Sequence, residues 1–286
     1  LLWWWAKRHH GESVSPQTSV AQRSPSTRGQ VVLVYGIALA TAAVVVAPLT
    51  ALLWRSLTRT TPDATRFTLA GWRAVTSSTT LGAISTSTLY ALCAMAIATV
   101  LGLMVALGVA YGSPRFVWLE RISVLPLTVS AVTIGLGILI TYDTAPFDFR
   151  SAWIITPLAH SLIALPLVVR IVLPVVRQIP RGLQSVASTL GATPLQTWLT
   201  VDRPLMLRAV GASAAIAFAI SIGEFGATSF LTRRSSETLP VTISRLLSRP
   251  GDALRTQAYA LCVIIVVISM IAIFLIDMLR PARKAK

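Results

Sequence analysis

The chain has 286 residues, of which 54% are hydrophobic and only 12% charged, and its mean hydropathy is +0.71. Soluble domains carry about twice that charged fraction, so this composition excludes an ordinary soluble protein and indicates a membrane protein. The net charge of +15 does not indicate nucleic-acid binding, because the 22 arginines and 3 lysines form short clusters between long uncharged stretches, as they do beside membrane spans.

The positions of lysine and cysteine exclude two kinds of site. All three lysines, Lys7, Lys284 and Lys286, lie in the tails, so the body of the chain has no phosphate-binding loop of the G-x-x-x-x-G-K-[ST] type. Cys93 and Cys262 lie in separate apolar stretches without Cys-x-x-Cys spacing. We therefore predict no catalytic residue, metal site or disulfide, and interpret both cysteines as core thiols.

Residues 1–30 are predicted to be a tail or a linker, because from residue 6 onward they are polar and rich in Ser, Pro, Arg and Gln. The sequence opens with Leu1 and the cluster Trp3 to Trp5, followed by Lys7 and Arg8. Aromatic and basic residues in this order are typical of the interfacial end of a preceding membrane helix. We expect a piece of a longer polypeptide, with a misread start codon as the alternative.

Crossing about 30 Å of hydrocarbon requires about 20 mostly apolar residues in a helix. Six segments meet this requirement, and they predict an all-α membrane protein with six transmembrane helices. The segments are Val31–Trp54, Leu81–Ala110, Val117–Tyr142, Trp153–Val176, Leu205–Leu231 and Thr256–Leu279. The first stands apart from a core domain over residues 75–280, and a basic tail follows over residues 281–286.

The connection between the fourth and fifth spans, residues 177–204, is far longer than neighbouring helices need. Leu183 to Leu190 has helical periodicity, and Gly191 stands where a helix ends in a left-handed turn. Pro194 suits the first turn of a second helix. The pattern predicts two short helices joined by a tight turn at the inner membrane surface.

This loop resembles the signature loop of type I ABC importer permeases, the inner-membrane components of binding-protein-dependent transport. Ser185 replaces the acidic residue of the family's Glu-Ala-Ala sequence, and Arg203 replaces an aliphatic residue before proline. The resemblance implies that the loop is a cytoplasmic coupling helix that docks on a separate ATPase subunit. The residues at the corresponding positions are Ser185, Val186, Ala187, Gly191, Ala192 and Pro204.

The resemblance covers residues 75–280 and is nearest to ferric iron and thiamine permeases, with sulfate and molybdate permeases further off. It rests on Leu125-Pro-Leu-Thr in the third span, Ala159-His-Ser-Leu in the fourth and Gly223-Glu-Phe-Gly in the fifth. Several such permeases are double-length chains, and this chain resembles a second half. The resemblance implies a bacterial plasma (inner) membrane protein. Both termini are expected in the cytoplasm, because all three lysines lie in the tails and the long inner loop suits a cytosolic partner. Its implied partners are an ATPase that binds ATP and Mg²⁺, an extracytoplasmic substrate-binding protein and a second permease half or homologue.

Glu224 is the one acidic residue well inside a predicted span. A carboxylate at that depth costs at least a few kcal/mol unless it is paired or faces water, so it is a candidate for the transport pathway or its gate. The alternative is a structural ion pair with Arg233 or Arg234. The candidate gate residues are Gly223, Glu224, Phe225 and Gly226.

Other residues inside the spans have structural interpretations. His160 has no further ligands near it in sequence, so we predict a hydrogen-bonded histidine and no metal site. Arg170 is expected to extend to the headgroups, and Asp277 to pair with Arg280 on one helical face. The prolines that bend the fourth span are Pro157, Pro166 and Pro174.

Two other classes of function compete with an ATP-driven importer of ferric iron or thiamine. A secondary transporter or channel needs intramembrane charges or inverted repeats, and only Glu224 is available. A membrane enzyme needs a nucleophile, base or metal cluster, and His160 and Glu224 do not assemble one. The importer is therefore the expected function, and it requires no cofactor in this chain.

Overall fold

The computed structural model describes residues 27–60, 65–142, 152–233 and 236–278. The predictions for the opening tryptophans, for Arg234, for the Asp277–Arg280 pair and for the basic tail lie outside the residues whose side chains are described. By its contacts the chain divides at Thr50, so that the first part of the first helix forms one unit and the remainder forms another.

The described residues form twelve α-helices and one two-stranded antiparallel ribbon. The helices in the first half are α1 Arg28–Leu57, α2 Ala70–Val75, α3 Ser78–Tyr111, α4 Val117–Val124, α5 Ala131–Thr141 and α6 Ile155–Arg177. Those in the second half are α7 Arg181–Thr189, α8 Pro194–Thr197, α9 Arg203–Ile222, α10 Thr228–Leu231, α11 Leu239–Leu247 and α12 Asp252–Met278. The ribbon joins α1 to α2 and pairs β1 Thr58–Thr60 with β2 Thr65–Phe67.

Five helices are long and apolar enough to cross a membrane, and a bent pair makes a sixth candidate. The observed α1, α3, α6 and α12 agree closely with four predicted spans, and α3 is one long helix as expected. The all-α membrane fold is therefore confirmed. The most apolar window of α1 is fully exposed in the structure, which suits a surface that contacts lipid tails.

The prediction of a continuous third span is wrong. The chain forms α4, a 3₁₀ turn over Leu125–Thr128 and then α5, with a bend of 101° between the two halves. Pro126 has no N–H to continue the helix, and Val129 and Ser130 adopt extended backbone conformations. A hydropathy window does not register this interruption, because the residues at the bend remain mostly apolar.

The predicted boundaries of the fifth span are also wrong. One helix runs from Pro194 to Ile222 through a π-helical turn at Trp198–Asp202, and it ends at Gly223 instead of Leu231. After a break at residues 223–227, the chain resumes as the single turn of α10. Gly223 and Gly226 favour this interruption because glycine weakens a helix by about 1 kcal/mol relative to alanine.

The core is a three-helix packing of α3, α6 and α9. Its contact surfaces combine alanines with valine and larger aliphatic residues, and the small residues let backbones approach closely where lipid supplies no hydrophobic force between helices. At Gly102 of α3, an added Cβ atom would lie only 2.5 Å from Cγ1 of the buried Val168 of α6. The buried residues that define this core include Ala98, Ala106, Ala164, Val168, Val172 and Ala217.

Two glycines of α3 provide a matched test of this packing. Gly102→Ala should lower stability by about 1–3 kcal/mol, because Val168 is branched and only 1% exposed and has little room to move. Gly108→Ala should be neutral or stabilise the helix, since nothing lies within 4 Å of its Cβ position. Thermal unfolding of the two variants in detergent measures the difference, and equal unfolding temperatures would contradict the close α3–α6 contact.

Candidate functional site

The predicted turn between the two short helices is present, with Gly191 in the left-handed region at φ +82°. The N–H of Gly191 donates to the carbonyl of Ser188, and the N–H of Ala192 donates to that of Ala187, both at 3.0 Å. These two bonds are the Schellman arrangement that closes a helix C-terminus. Nothing lies within 4 Å of a Cβ atom built at Gly191, so the preference for glycine comes from its backbone conformation alone.

The second short helix begins with a reciprocal cap. The N–H of Gln196 donates to the Thr193 hydroxyl at 3.3 Å, and the Gln196 side chain accepts from the N–H of Thr193 at 2.8 Å. Pro194 occupies the first helical position as predicted. This cap stabilises the start of the helix and fixes the direction in which the chain leaves the turn.

Three polar residues tie the loop to the core, and no role was predicted for any of them. The Gln184 side-chain amide of α7 donates to both carboxylate oxygens of Asp202, at 3.0 and 3.1 Å. Asp202 is buried at the start of α9, and Gln184 also lies close to the Tyr111 side chain at the end of α3. The sequence signal was weak: Asp202 is one of only 10 acidic residues, and it lies three residues before a predicted span.

One face of α7 presents apolar side chains to the surroundings. Val186 is 58% exposed and Leu190 is 82% exposed, and Leu183 and Leu195 are exposed beside them. The spacing of Leu183, Val186 and Leu190 places them along one side of the helix. A short helix outside the spans with such an exposed face is suited to contact a partner.

The residues predicted for coupling share this surface. The exposed ones are Ser185, Val186, Gly191 and Pro204, while Ala187 and Ala192 are half-buried. Pro204 lies in the first turn of α9, as does the exposed Arg203. Five of the six predicted residues therefore lie on α7 or in the turn after it, and Pro204 lies on α9.

Glu224 does not lie inside a helix, so that part of its prediction is wrong. It occupies the break between α9 and α10, where its Oε1 accepts the N–H of Ala227 at 3.0 Å. The carboxylate thus caps the first turn of α10, which explains why an acidic residue is stable there. Gly223 and Phe225 are exposed, whereas Glu224 and Gly226 are half-buried. The ion pairs among the described residues do not link Glu224 to Arg233.

His160 of α6 joins the two sides of this break. It is 2% exposed, with Nδ1 2.8 Å from the Ser221 hydroxyl in the last turn of α9 and Nε2 2.6 Å from the Thr228 hydroxyl at the start of α10. Thr228 already donates its single proton to the carbonyl of Glu224 at 2.9 Å. It must therefore accept from Nε2–H, and Ser221 must donate to Nδ1. The network fixes one neutral tautomer and agrees with the predicted hydrogen-bonded histidine.

The loop and the break lie at opposite ends of α9, which has 20 residues and is therefore about 30 Å long. The family described as binding-protein-dependent transport system inner membrane component matches residues 98–285, which include both sites. The chain belongs to this family. It is therefore a non-catalytic permease subunit of a type I ABC importer and a multi-pass membrane protein.

Several permeases with names for specific cargoes are similar to this one. A Salmonella typhimurium permease named for 2-aminoethylphosphonate transport, PhnV, is 29% identical over 203 residues, which are 71% of this chain and 72% of the relative. The molybdenum permease ModB of Haemophilus influenzae is 30% identical over 176 residues, 57% of this chain and 76% of the relative. The sulfate permease CysT of Salmonella typhimurium is 28% identical over 220 residues, 73% and 79% respectively.

Replacing His160 should destabilise the permease. His160→Leu removes the acceptor for Ser221 and the donor to Thr228, and a buried polar group left unpaired costs about 1–3 kcal/mol. His160→Gln should cost less, because an amide both donates and accepts. Thermal unfolding of the two variants measures the effect. A leucine variant as stable as the wild type would show that the break does not depend on the histidine.

Proposed function

We propose that the permease transmits ATP-driven movement of a separate ATPase subunit through the loop at residues 177–204. The observation that carries this proposal is the exposed apolar face of α7, with Val186 at 58% and Leu190 at 82% exposure. Such a face outside the membrane spans is stabilised when a partner covers it. The ATPase, which binds ATP and Mg²⁺, is the partner that the family supplies.

The contacts of the loop provide a route into the spans. Gln184 links α7 to Asp202 at the base of α9 and lies close to Tyr111 at the end of α3, so α7 meets the ends of two core helices. The resemblance places an acidic residue where this chain has Ser185, so one polar contact to the ATPase that such a residue would allow is lost. The exposed apolar side chains and the Gly191 turn then carry most of the recognition.

In this proposal the loop and both chain termini face the cytoplasm of a bacterial cell. A binding protein delivers cargo at the opposite face, and a second permease half or homologue completes the pathway. Closure of the ATPase pair draws the two coupling loops together and converts the inward-open state into the outward-open state.

We further propose that the break after α9 contributes to the gate, with Gly223, Glu224, Phe225 and Gly226 as its residues. A non-helical segment at membrane depth is tolerated where it is buried in protein or lines a water-filled pathway. The exposed Phe225 and the half-buried Glu224 suit the second situation.

The cargo is proposed to be a small oxyanion. Phosphonate, molybdate and sulfate are all tetrahedral oxyanions, and the similar permeases described above are named for these or for the corresponding element. Ferric iron and thiamine are the competing candidates from the sequence resemblance. Calorimetric titration of the cognate binding protein with each ligand decides between them, and micromolar or tighter binding of thiamine or ferric iron alone would reject the oxyanion.

The Gly191 turn provides a direct test of coupling. A side chain at φ +82° costs roughly 1–2 kcal/mol, and valine is worse than alanine because it is branched at Cβ. Gly191→Val should therefore turn the backbone and displace α7, while the membrane core stays folded. We expect an inserted protein without substrate-stimulated ATP hydrolysis, and an intermediate effect for Gly191→Ala. ATPase activity of the reconstituted complex with and without loaded binding protein is the measurement; normal stimulation in the valine variant excludes this coupling role.

The role of Glu224 is tested by Glu224→Gln. Glutamine keeps the shape and can still accept from the N–H of Ala227, so expression, thermal stability and ATPase binding should change little. Transport should fall if the negative charge lines the pathway. Cargo uptake into proteoliposomes is the measurement. Reduced expression with no selective loss of transport would instead identify Glu224 as a structural cap.

A further inference from the structure

A polar cavity of about 350 Å³ lies between the C-terminal end of α1, the strand β2 and the N-terminal end of α12. Its walls include Trp54 and Arg55 from α1, Thr65 from β2, and Arg255 and Tyr259 from α12. Neither the gate nor the coupling loop contributes to it.

The contacts of α3 place this cavity at the end of the helix core opposite the coupling loop. Gln257, on the wall-forming part of α12, donates to the Thr80 hydroxyl near the start of α3. Gln184 of the coupling loop lies close to Tyr111, the last residue of the same 34-residue helix. The cavity therefore lies where two spans end, at the level that headgroups occupy in a bilayer.

The charge of the cavity is positive. Arg55 and Arg255 line it together with one carboxylate, Asp252, whose Oδ2 is 4.0 Å from Nε of Arg59. Within the described parts of the chain, the ion pairs do not involve Arg55 or Arg255. Two guanidinium groups thus face the cavity without a carboxylate partner among these pairs.

The donors of the cavity are partly held in place. Nη1 of Arg55 donates to the Tyr259 hydroxyl at 3.5 Å, and its Cζ atom is 6.0 Å from the centre of that ring. Because the phenolic oxygen accepts from Arg55, its own proton remains for another acceptor. The hydroxyls of Thr58 and Thr256 instead donate to backbone carbonyls at 2.8 Å. A guest would therefore meet two arginines and a phenol as donors, together with the Asp252 carboxylate, which would repel an anion.

We propose that this cavity binds a phosphate group, either the headgroup of an anionic phospholipid or free phosphate. Guanidinium forks match pairs of phosphate oxygens, and the bonds they donate to an anion are stronger than neutral hydrogen bonds. The arginines supply the charge, and Tyr259 orients Arg55 and donates a further hydrogen bond. The site is separate from the proposed transport pathway, so it binds its ligand without the ATPase.

The experiment measures binding of two probes to the full-length permease in a neutral detergent. The probes are inorganic phosphate and short-chain phosphatidylglycerol, with phosphatidylcholine of equal chain length as the uncharged reference. The test variant is Arg55→Gln combined with Arg255→Gln. The matched control is Arg249→Gln, which removes an exposed arginine from the connection just before α12 that does not line the cavity.

We expect the double variant to bind at least one probe about tenfold more weakly, because two charge-assisted contacts are lost. The control variant Arg249→Gln should bind both probes as the wild type does. Selective loss of phosphatidylglycerol binding identifies a lipid, and selective loss of phosphate binding identifies a free anion. Tyr259→Phe should weaken binding less, because it removes only the phenolic donor and the contact that orients Arg55. The proposal is overturned if neither probe binds, if the double variant binds like wild type, or if Arg249→Gln has an equal effect.

Discussion

Backbone N–H and carbonyl groups inside hydrocarbon must find partners within the protein, because lipid tails offer none. The interruption after α9 shows how this constraint selects residues. Glu224 accepts the N–H of Ala227, the Thr228 hydroxyl donates to the carbonyl of Glu224, and His160 holds Thr228 and Ser221 on either side. Ser221, His160, Thr228 and Glu224 thus form one connected set of hydrogen bonds.

The same constraint explains why the bend in the third span lies beside the break after α9. The bend in the third span turns α5 onto α10, and an added Cβ atom at Gly135 of α5 would lie 2.6 Å from Cα of Ala227. A backbone approach this close excludes lipid and water from that side of the break. The bent third span therefore covers the break in the fifth span. Contact between these two irregular segments shields both of them from lipid.

Most of the membrane-spanning helices could be predicted from the sequence, because hydropathy over about 20 residues detects spans well. The Gly191 turn and the Pro194 helix start were also accessible, since each depends on a local backbone preference of one residue type. The bend at Pro126 was not predicted, because its stretch remains apolar. Gly223 and Gly226 by themselves do not distinguish close helix packing from a break in the backbone. The hydrogen-bond partners of His160 and Gln184 were not predicted from the sequence, for a different reason. They lie 61 and 68 residues away from His160 and 18 away from Gln184, and such pairings depend on how helices pack.

The continuity of the helix from Pro194 to Ile222 has a mechanical consequence. Its 29 residues correspond to a rod of about 43 Å that begins beside the Gly191 turn and ends at the break. A continuous helix moves as a rigid body, so a tilt or a shift at one end reaches the other end. It is flexible only where it joins the rest of the chain. The π-helical turn at Trp198–Asp202 is the one departure from α-helical geometry along it, and it lies at the end nearest the turn. A tilt about that point would displace the far tip most, and Glu224 and its hydrogen-bonded neighbours lie there.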